Sequence, residues 1–435
     1  LAANKDWSTR RPLSRQGRNS FGYRVYARLR AHTYKLQPTQ AVKCALKPTT
    51  LAHLTMRLPM AAKLPIFHFL LRALSISWLL AWVPCCLLYF INPEQWWPMG
   101  IVSIAFWPIN LGGLVLVILL FIARQPLQWA LLLAWLCLLP LTRRYLGLHL
   151  PHSQPKGLAS TARLRVMQWN CAELQGFYPA QGVAKMEGRR QIAALISQWQ
   201  PQIICIQDFT EQYYPPATYS NIALLADSLG YRYYNLSAAG HPVASGNPIF
   251  AGTAIFSKLP LVACGAVPYP ARQVPEHIVW ANMLWNGKTI RIATTHFASM
   301  HLGWRPQPPL PPHLKEDSAI ITGSSKLNKL QHFQAYHVQQ ARQLRHFLDT
   351  CSLPTLLGAD LNSTPASWAY QQVKANYTDA FLAKGWGLGK TYKHGWPGLR
   401  IDYLLASPEW RVARFWQSAH SHSDHHVLMA EFFIP

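Results

Sequence analysis

Acidic residues are scarce in this chain of 435 residues, where 17 Asp and Glu face 41 Lys and Arg and leave a formal charge of +24. The 8 cysteines are scattered and form no Cys-x-x-Cys pair, which excludes a disulfide scaffold and disfavours a zinc site. No period of about 20–50 residues recurs, so solenoids and propellers are excluded. Aromatic residues are plentiful, with 18 Trp, 18 Tyr and 17 Phe, and this content excludes a disordered chain.

Residues 1–63 have almost no acid. They hold thirteen Lys and Arg against a single carboxylate, Asp6, and show no apolar periodicity. This composition predicts a basic leader without a fixed structure. The alternative is a basic arm that binds anionic lipid or nucleic acid.

Residues 64–142 contain long stretches without any charge. Three uncharged runs cover 73–91, 95–123 and 125–142, with 19, 29 and 18 residues. Since about 20 apolar residues cross the hydrocarbon core of a bilayer, the runs predict about three transmembrane helices. The third run is the shortest and contains Pro140, which leaves an interfacial hairpin as an alternative.

The basic residues near these runs bear on the sidedness of the chain. Those before the first run and between the second and third favour the cytoplasmic side: Arg57, Lys63, Arg72 and Arg124. With three crossings, everything after residue 142 would lie outside the cytoplasm. A second group follows the third run and favours the reverse orientation: Arg143, Arg144, Lys156 and Arg163. Because long domains translocate regardless of charge, we expect a multi-pass protein with its C-terminal domain outside.

Residues 143–163 contain Pro, Gly and Ser and predict a linker, while 164–435 has a globular pattern. Strands are expected at 164–169, 203–207, 253–256, 355–358, 402–406, 412–416 and 426–433, and helices at 186–199 and 331–349. Asn286-Gly287 between two apolar runs predicts a β-hairpin. Because the helices fall between pairs of strands, the expected fold class is α/β (α+β), a sandwich of sheets covered by helices.

Six polar residues stand at the ends of apolar strand runs: Asn170, Asp208, His296, Asp360, Asp402 and Asp424. Residues 164–435 hold only fifteen carboxylates, so the placement of four of them at strand ends is informative. Polar groups at strand ends can converge at one mouth of a sandwich. A buried carboxylate is costly unless it is paired or bound to metal, which predicts a polar site there.

The residues around these positions form six short motifs in a fixed order. They are Gln168-Trp-Asn170, Ile206-Gln-Asp208, Thr295-His296, Gly358-Ala-Asp360-Leu-Asn362, Arg400-Ile-Asp402-Tyr and Ser423-Asp424-His425. Together they resemble the endonuclease/exonuclease/phosphatase superfamily over residues 163–435. The resemblance implies a four-layered sandwich of two packed β-sheets flanked by helices. It also implies a metal-dependent phosphoric ester hydrolase of the nuclease or phosphodiesterase type.

The resemblance implies a metal site at Asp208, Asn170 and Asp424. The family has Glu at the position of Asp208, so this side chain is one methylene shorter, and Ala359 stands where the family usually has Gly. Carboxylate and amide oxygens are the ligands that a hard cation such as Mg²⁺ takes. The expected cofactor is therefore Mg²⁺ or Mn²⁺.

The resemblance implies catalytic roles for five further residues. His425 matches the general base, and Asp402 matches the carboxylate that orients it. Asp360 and Asn362 match the pair that positions the attacking water and the phosphoryl oxygens, and His296 matches a histidine that contacts phosphate. A histidine with a carboxylate partner can act as a base near neutral pH, which suits His425 beside Asp402.

The expected partner is a phosphodiester substrate, either nucleic acid or a lipid head group. Residues 164–435 hold 22 Lys and Arg against fifteen acids, and this positive charge suits a nuclease. The membrane anchor suits a phospholipid or sphingomyelin phosphodiesterase that contacts membrane lipid. A third alternative is a non-catalytic membrane scaffold with a degenerate site, because Asp208 departs from the family residue.

Overall fold

The protein is described by a computed structural model that covers residues 65–151, 153, 162–171, 182–212, 220–237, 240–242, 248–269, 276–299, 326–418 and 423–435. The chain divides into two compact units, Leu1–Ala62 and Lys63–Pro435. The predicted basic leader lies outside the described residues. The second unit contains both the apolar helices and the globular part.

Two long apolar helices come first, α1 (Pro65–Leu87) and α2 (Pro98–Ile122). Both are long and apolar enough to cross a membrane. They pack against each other, and the Trp78 indole donates a 2.7 Å hydrogen bond to the carbonyl of Ile109. Their exposed side chains are mainly apolar, as a lipid environment requires.

The prediction of a third membrane-crossing helix is wrong. The run 125–142 forms two short helices instead, α3 (Gln128–Cys137) and α4 (Leu139–Arg143). The break falls beside Pro140, which has no N–H to bond the carbonyl four residues earlier and lies in the first turn of α4, where that bond is not needed. The run is therefore divided between two helices, and neither is long enough to cross a bilayer alone.

The globular part holds the remaining helices, α5 (Gly182–Trp199), α6 (Asn221–Ala223), which continues as a π-helical turn over Leu224–Ser228, α7 (Lys326–Asp349), α8 (Trp368–Lys374) and α9 (Ala380–Lys384). The strands in chain order are β1 (Gly147–Leu148), β2 (Leu164–Asn170), β3 (Ile203–Gln212), β4 (Tyr233–Leu236), β5 (Gly240–Pro242), β6 (Pro248–Ser257), β7 (Leu261–Pro268), β8 (His277–Trp285), β9 (Lys288–His296), β10 (Thr355–Asp360), β11 (Thr378–Asp379), β12 (Trp386–Gly387), β13 (Asp402–Ala406), β14 (Arg411–Ser418) and β15 (Val427–Phe433).

The strands form two large sheets and one small ribbon. A six-stranded sheet has the order β11-β13-β10-β9-β8-β7, and a seven-stranded sheet has the order β14-β15-β2-β3-β6-β4 with β5 beside β6. Strands β9 and β10 run parallel in the first sheet, as do β2 and β3 in the second. Strands β1 and β12 pair with each other as a separate ribbon.

The two large sheets pack face to face and carry helices on their outer faces. Side chains from both sheets meet in one buried cluster, which includes Val166, Ile203, Ile292, Leu356 and Leu404. Helix α5 covers the seven-stranded sheet, and α7 covers the six-stranded sheet. The predicted four-layered α/β sandwich is therefore confirmed.

Candidate active site

Strand pairing brings the predicted polar residues to one end of the sandwich. In the six-stranded sheet, Asp360 at the end of β10 lies opposite His296 at the end of β9 and opposite Asp402 at the start of β13. In the facing sheet, Asn170 ends β2. The alternation of parallel and antiparallel pairs thus places residues far apart in sequence side by side.

Asp360 lies at the centre of the group and is fully buried. Its Oδ2 accepts a 2.9 Å hydrogen bond from the amide of Asn170, and its Oδ1 accepts one of 2.9 Å from the backbone N–H of Asn362. Burial and the neighbouring carboxylate of Asp402 raise the pKa of Asp360 to about 6, against the opposite effect of His425. Asp360 therefore takes up a proton at a higher pH than an ordinary aspartate, but it is mainly a carboxylate at pH 7.

His425 and Asp402 form a buried pair. The Nδ1 atom of His425 lies 2.9 Å from Oδ2 of Asp402, whose Oδ1 accepts a 3.2 Å hydrogen bond from Gln168. Burial alone would lower the pKa of His425, but the carboxylates of Asp402 and Asp360 outweigh burial and raise it to about 10. The contact through Nδ1 fixes the orientation of the ring, so that Nε2 is the ring nitrogen that does not contact Asp402.

The neighbouring His426 has different partners. Its Nδ1 lies 2.9 Å from Nε2 of Gln417 on β14, and its backbone N–H donates to the carbonyl of Thr391. Burial lowers its pKa to about 4. His426 is therefore adjacent to His425 in sequence, but its Nδ1 contacts Gln417 where that of His425 contacts Asp402.

Asp208 reaches the site from an irregular point of β3. The pairing of β3 with β6 shifts register between Ile206 and Phe209, and Asp208 has φ +49°. A bulge of this kind redirects a side chain out of the regular alternation of the strand. It brings Oδ1 of Asp208 to 3.2 Å from Nδ1 of His296 and leaves the side chain 40% exposed.

Glu276 is a site residue that the sequence analysis missed. Its Oε1 lies 3.1 Å from Nδ1 of His296, so two carboxylates contact the same ring nitrogen. A signal was present, because counting outward from the Asn286-Gly287 turn places Glu276 next to the residue opposite His296. A search for polar residues at the ends of strands alone misses Glu276, because it directly precedes the first residue of β8.

These two acids control the charge of His296. Burial would lower the pKa of His296, but Asp208 and Glu276 outweigh it and raise the pKa well above its ordinary value. Desolvation would raise the pKa of Asp208, but His296 and the Asn170 amide hold it well below the usual range. These contacts therefore favour the charged form of His296 and the carboxylate form of Asp208.

Asn362 adopts a left-handed backbone conformation with φ +44°. Asparagine tolerates this region better than most residues, and the bond from its N–H to Asp360 closes an Asx turn. Its side-chain Nδ2 donates 2.8 Å to the carbonyl of Phe297 and lies 3.1 Å from Nε2 of His296. The turn thus places a neutral amide between the two neighbouring strand ends.

Asp424 stands at the edge of the group and is half-buried. The hydroxyl oxygen of Ser423 lies 3.3 Å from Oδ1 of Asp424 and 2.7 Å from the carbonyl oxygen of Asn170. Asp424 also raises the pKa of the adjacent His425. Asp424 is therefore connected to the Asn170 end of the site.

The donor set fits a hard divalent cation. The described residues bring five carboxylates together with two histidines: Asp208, Glu276, Asp360, Asp402 and Asp424 with His296 and His425. Such an excess of negative charge over two imidazoles is costly without a bound cation. Carboxylate and amide oxygens are ligands that Mg²⁺ and Mn²⁺ accept.

Two groups of these residues could hold the ion. One ligand atom each of Asp360, Asp402 and His425 lies within 4.8 Å of the others, but these side chains are buried and bonded to one another. Asp208 is partly exposed and lies beside the Asn170 amide, so the ion could reach it from solvent. The second position leaves the His425–Asp402 pair intact.

Comparison with known proteins gives the following. Residues 167–425 match the Endonuclease/Exonuclease/phosphatase family. An endonuclease/exonuclease/phosphatase from Beutenbergia cavernae is 20% identical, with a TM-score of 0.45, over 63% of this chain and 72% of that one. The human Nocturnin catalytic domain with bound sulfate is 19% identical, with a TM-score of 0.44, over 63% and 94%.

A mannosyl-6-phosphatase from Bacteroides thetaiotaomicron is 15% identical, with a TM-score of 0.41, over 62% of this chain and all of that one (100%). The curated proteins gave no match. The family match covers more than half of the 435 residues and includes every motif from Asn170 to His425. The chain belongs to the endonuclease/exonuclease/phosphatase family.

Proposed function

We propose that this chain is a membrane-anchored, divalent-metal-dependent hydrolase of phosphate esters, of the phosphodiesterase or nuclease type. The observation that carries the proposal is the 2.9 Å contact between His425 and Asp402 inside a group of five carboxylates. A histidine held by a buried acid is a proton acceptor, and surplus carboxylates are the means of holding a cation. Hydrolysis of a phosphate ester uses both.

Asp208, Asn170 and Asp424 would hold the cation, and Glu276 would add charge beside Asp208. A bound Mg²⁺ or Mn²⁺ would neutralise the oxygens of the phosphoryl group. The identity of the metal is part of the proposal, and Mg²⁺ is the first choice because every proposed ligand atom is oxygen.

The residues of the chain carry the hydrolysis itself. A water oxygen attacks phosphorus as His425 takes its proton at Nε2, while the P–O bond to the leaving group breaks on the opposite side. Asp402 holds Nδ1 and so fixes the tautomer. The Asn362 amide and the charged His296 stand at the neighbouring strand ends, where they can donate to phosphoryl oxygens as these gain charge.

The charge of His425 links its role to the cation. With a pKa raised to about 10, His425 keeps its proton while the carboxylates around it are uncompensated. Positive charge bound at Asp208 and Asp424 opposes the field of those carboxylates and favours loss of the proton. We therefore expect the base to become available only in the metal-loaded protein.

The proposal places α1 and α2 across a membrane. Both helices have the length and composition for crossing. The expected location of the catalytic domain outside the cytoplasm depended on three crossings, and two candidate helices do not support it. Protease added to intact cells tests the side of the domain: cleavage would place it outside, and protection until lysis would place it in the cytoplasm.

The test is turnover of bis-p-nitrophenyl phosphate by the full chain in detergent. Chelator should abolish the rate, and Mg²⁺ or Mn²⁺ should restore it. His425→Ala should lower kcat by about 10²–10⁴-fold, the usual contribution of a positioned base. Metal affinity should not fall, because the metal ligands lie elsewhere and the variant removes a positive charge that opposes the cation.

His426→Ala is the matched control, since its ring contacts Gln417 instead of Asp402. This variant should retain most of the activity. Full turnover in excess chelator, or a loss in His426→Ala that His425→Ala lacks, would contradict the proposed function. Metal binding without any turnover would favour a scaffold.

A further inference from the structure

The apolar helices contact the same end of the sandwich as the catalytic residues. Segment 361–367 directly follows Asp360, and in it the hydroxyl of Thr364 donates a 2.9 Å hydrogen bond to the carbonyl of Ser103 in α2. The backbone N–H of Ala366 lies 3.3 Å from the hydroxyl of Tyr145, just after α4. The active site is therefore only a few residues away from the helices.

A second segment, 388–399, connects the site and the helices from the other side. The ring of Tyr392 lies 5.2 Å from the ring of His425, edge to face. At its other end Gly398 has φ +97°, and a Cβ placed there would lie 2.8 Å from Cγ of Trp107 in α2. Leu388 packs into the buried cluster of the helices. The rim of the site is thus built directly on the helical region.

The β1–β12 pair carries an exposed apolar surface at this junction. Leu148 lies opposite Trp386 in the register, and the exposed fractions are 74% for Leu148, 78% for Leu150 and 57% for Trp386. These three residues are called the apolar ribbon. The cluster of the helices contains Tyr145, three residues before Leu148, and Leu388, two residues after Trp386. Both strands of the apolar ribbon are therefore joined within three residues to side chains that pack among the helices.

The composition of the apolar ribbon suits the lipid–water interface. Tryptophan is favoured at head-group depth, where an apolar ring meets polar surroundings. Arg143 at the end of α4 is exposed and could reach lipid phosphates from there. Single exposed apolar residues need no explanation, but three that adjoin helices long enough to cross a membrane form one surface.

We infer that the apolar ribbon inserts into the head-group region of the membrane and holds the mouth of the active site against it, so that the substrate is a phosphate ester carried by a membrane lipid. The inference rests on the proposed hydrolase function for its chemistry. A long nucleic acid would have to pass between the bilayer and a site whose rim, at Ala366 and Gly398, touches the helices. A lipid head group reaches the same site without leaving the interface.

The activity test uses the full chain reconstituted in vesicles of phosphatidylcholine and phosphatidylinositol. Three rates are compared: release of water-soluble phosphate esters from the vesicle lipids, hydrolysis of bis-p-nitrophenyl phosphate in solution, and cleavage of DNA oligonucleotides. The variant Leu148→Ser/Trp386→Ser should lower the lipid rate by about tenfold or more, because two apolar groups leave the interface. Its rate on the soluble ester should stay within about twofold.

Leu284→Ser is the matched control, because Leu284 is also 57% exposed but lies at the β8–β9 turn, at the opposite end of β9 from His296. It should change none of the three rates. An equal loss on lipid and soluble ester, an unchanged lipid rate, or cleavage of DNA without release from lipid would each overturn the inference.

A second measurement does not depend on turnover. The photo-cross-linking residue p-benzoylphenylalanine, placed at position 148 or 386, should form adducts with vesicle lipid, and the same residue at position 284 should not. Absence of lipid adducts at 148 and 386 would overturn the docking of the apolar ribbon. Adducts at both positions in a protein that hydrolyses none of the substrates would instead mean that the proposed function has failed.

Discussion

Asp208 and Glu276 approach the same nitrogen of His296 from different strands, at 3.2 Å and 3.1 Å. The bulge in β3 carries the backbone of Asp208 into the left-handed region at φ +49°. Glu276 adds a second carboxylate beside it. The end of the site at which the metal is proposed to bind therefore has two carboxylates, although Asp208 is one methylene shorter than a glutamate.

Asp208→Glu should retain metal-dependent activity at or above the original level. The side chain is 40% exposed, so an added methylene has room, and the carboxylate is preserved. Asp208→Ala should raise the Mg²⁺ concentration needed for half-maximal rate and lower kcat strongly. Rates measured against Mg²⁺ concentration separate the two effects. A loss in Asp208→Glu as complete as that in Asp208→Ala would show that the site has adapted to the shorter acid.

Glu276→Gln should shift the pH profile while keeping the shape of the side chain. Asp208 and Glu276 raise the pKa of His296, so removal of one charge lowers that pKa. The charged form of His296 is then lost at a lower pH, and the alkaline limb of the kcat profile should move to lower pH. An unchanged profile would mean that Asp208 alone sets the charge of His296.

At the scale of elements, the strongest local signals in the sequence led to correct elements. Asn286 and Gly287 both have positive φ, at +48° and +75°, as the predicted tight turn requires, and the hairpin β8–β9 follows from them. The strand over Asp402–Ala406 has the predicted bounds. These elements are specified by residues adjacent in sequence, which is why a pattern could find them.

Other elements were missed because tertiary contacts decide them. Strand β7 is the edge of its sheet and contains Gly265 and Pro268, residue types that are rare inside strands. The bulge that turns Asp208 depends on the pairing of β3 with β6, and the role of Glu276 depends on the start of β8. The sequence indicated which residues stand at the ends of strands, but it could not show that Asp208 and Glu276 both contact His296.

Helix α7 supplies a pH-sensitive contact beneath the site. His337 is buried, with Nε2 2.7 Å from the carbonyl oxygen of Ala298 and Nδ1 3.1 Å from the hydroxyl of Ser363. Burial lowers its pKa from 6.5 to about 4. Between pH 6.5 and about pH 4, His337 binds a proton in the unfolded chain but not in the folded chain. The free energy of unfolding therefore decreases as the pH falls through this range, by about 3 kcal/mol in total.

His337→Gln should therefore reduce the fall in Tm between about pH 7 and pH 4.5. Glutamine can keep one of the two hydrogen bonds and does not titrate. Tm is measured by thermal unfolding of the full chain in detergent at each pH. His332→Gln, on the exposed side of the same helix, is the control and should leave the pH dependence unchanged. Equal slopes for His337→Gln and the original chain would contradict the assignment.

At the scale of the whole molecule, the helices and the sandwich share buried interactions. Arg400, two residues before Asp402, bonds Asp379 at 2.6 Å and the carbonyl of Arg144 at 2.6 Å. The amide of Gln371 donates 3.1 Å to the carbonyl of Leu88. A flexible tether would need none of these contacts. The helical region therefore supports the segment that leads into Asp402.

A fragment of residues 150–435 should consequently be less stable and less active than one of residues 63–435 in the same detergent. It loses one of the two acceptors of the Arg400 guanidinium, the Arg144 carbonyl, and exposes Ala366 and Leu388, which pack into the helical cluster. Loss of about 3 kcal/mol of burial would lower Tm by about 6 °C or more. The kcat on bis-p-nitrophenyl phosphate should fall as well, because segments 361–367 and 388–399 lose the surface that orders them. Equal Tm and kcat for the two fragments would mean that the helices only tether the enzyme. If Tm and kcat of the shorter fragment are lower, and neither detergent nor lipid restores them, the helices form part of the fold.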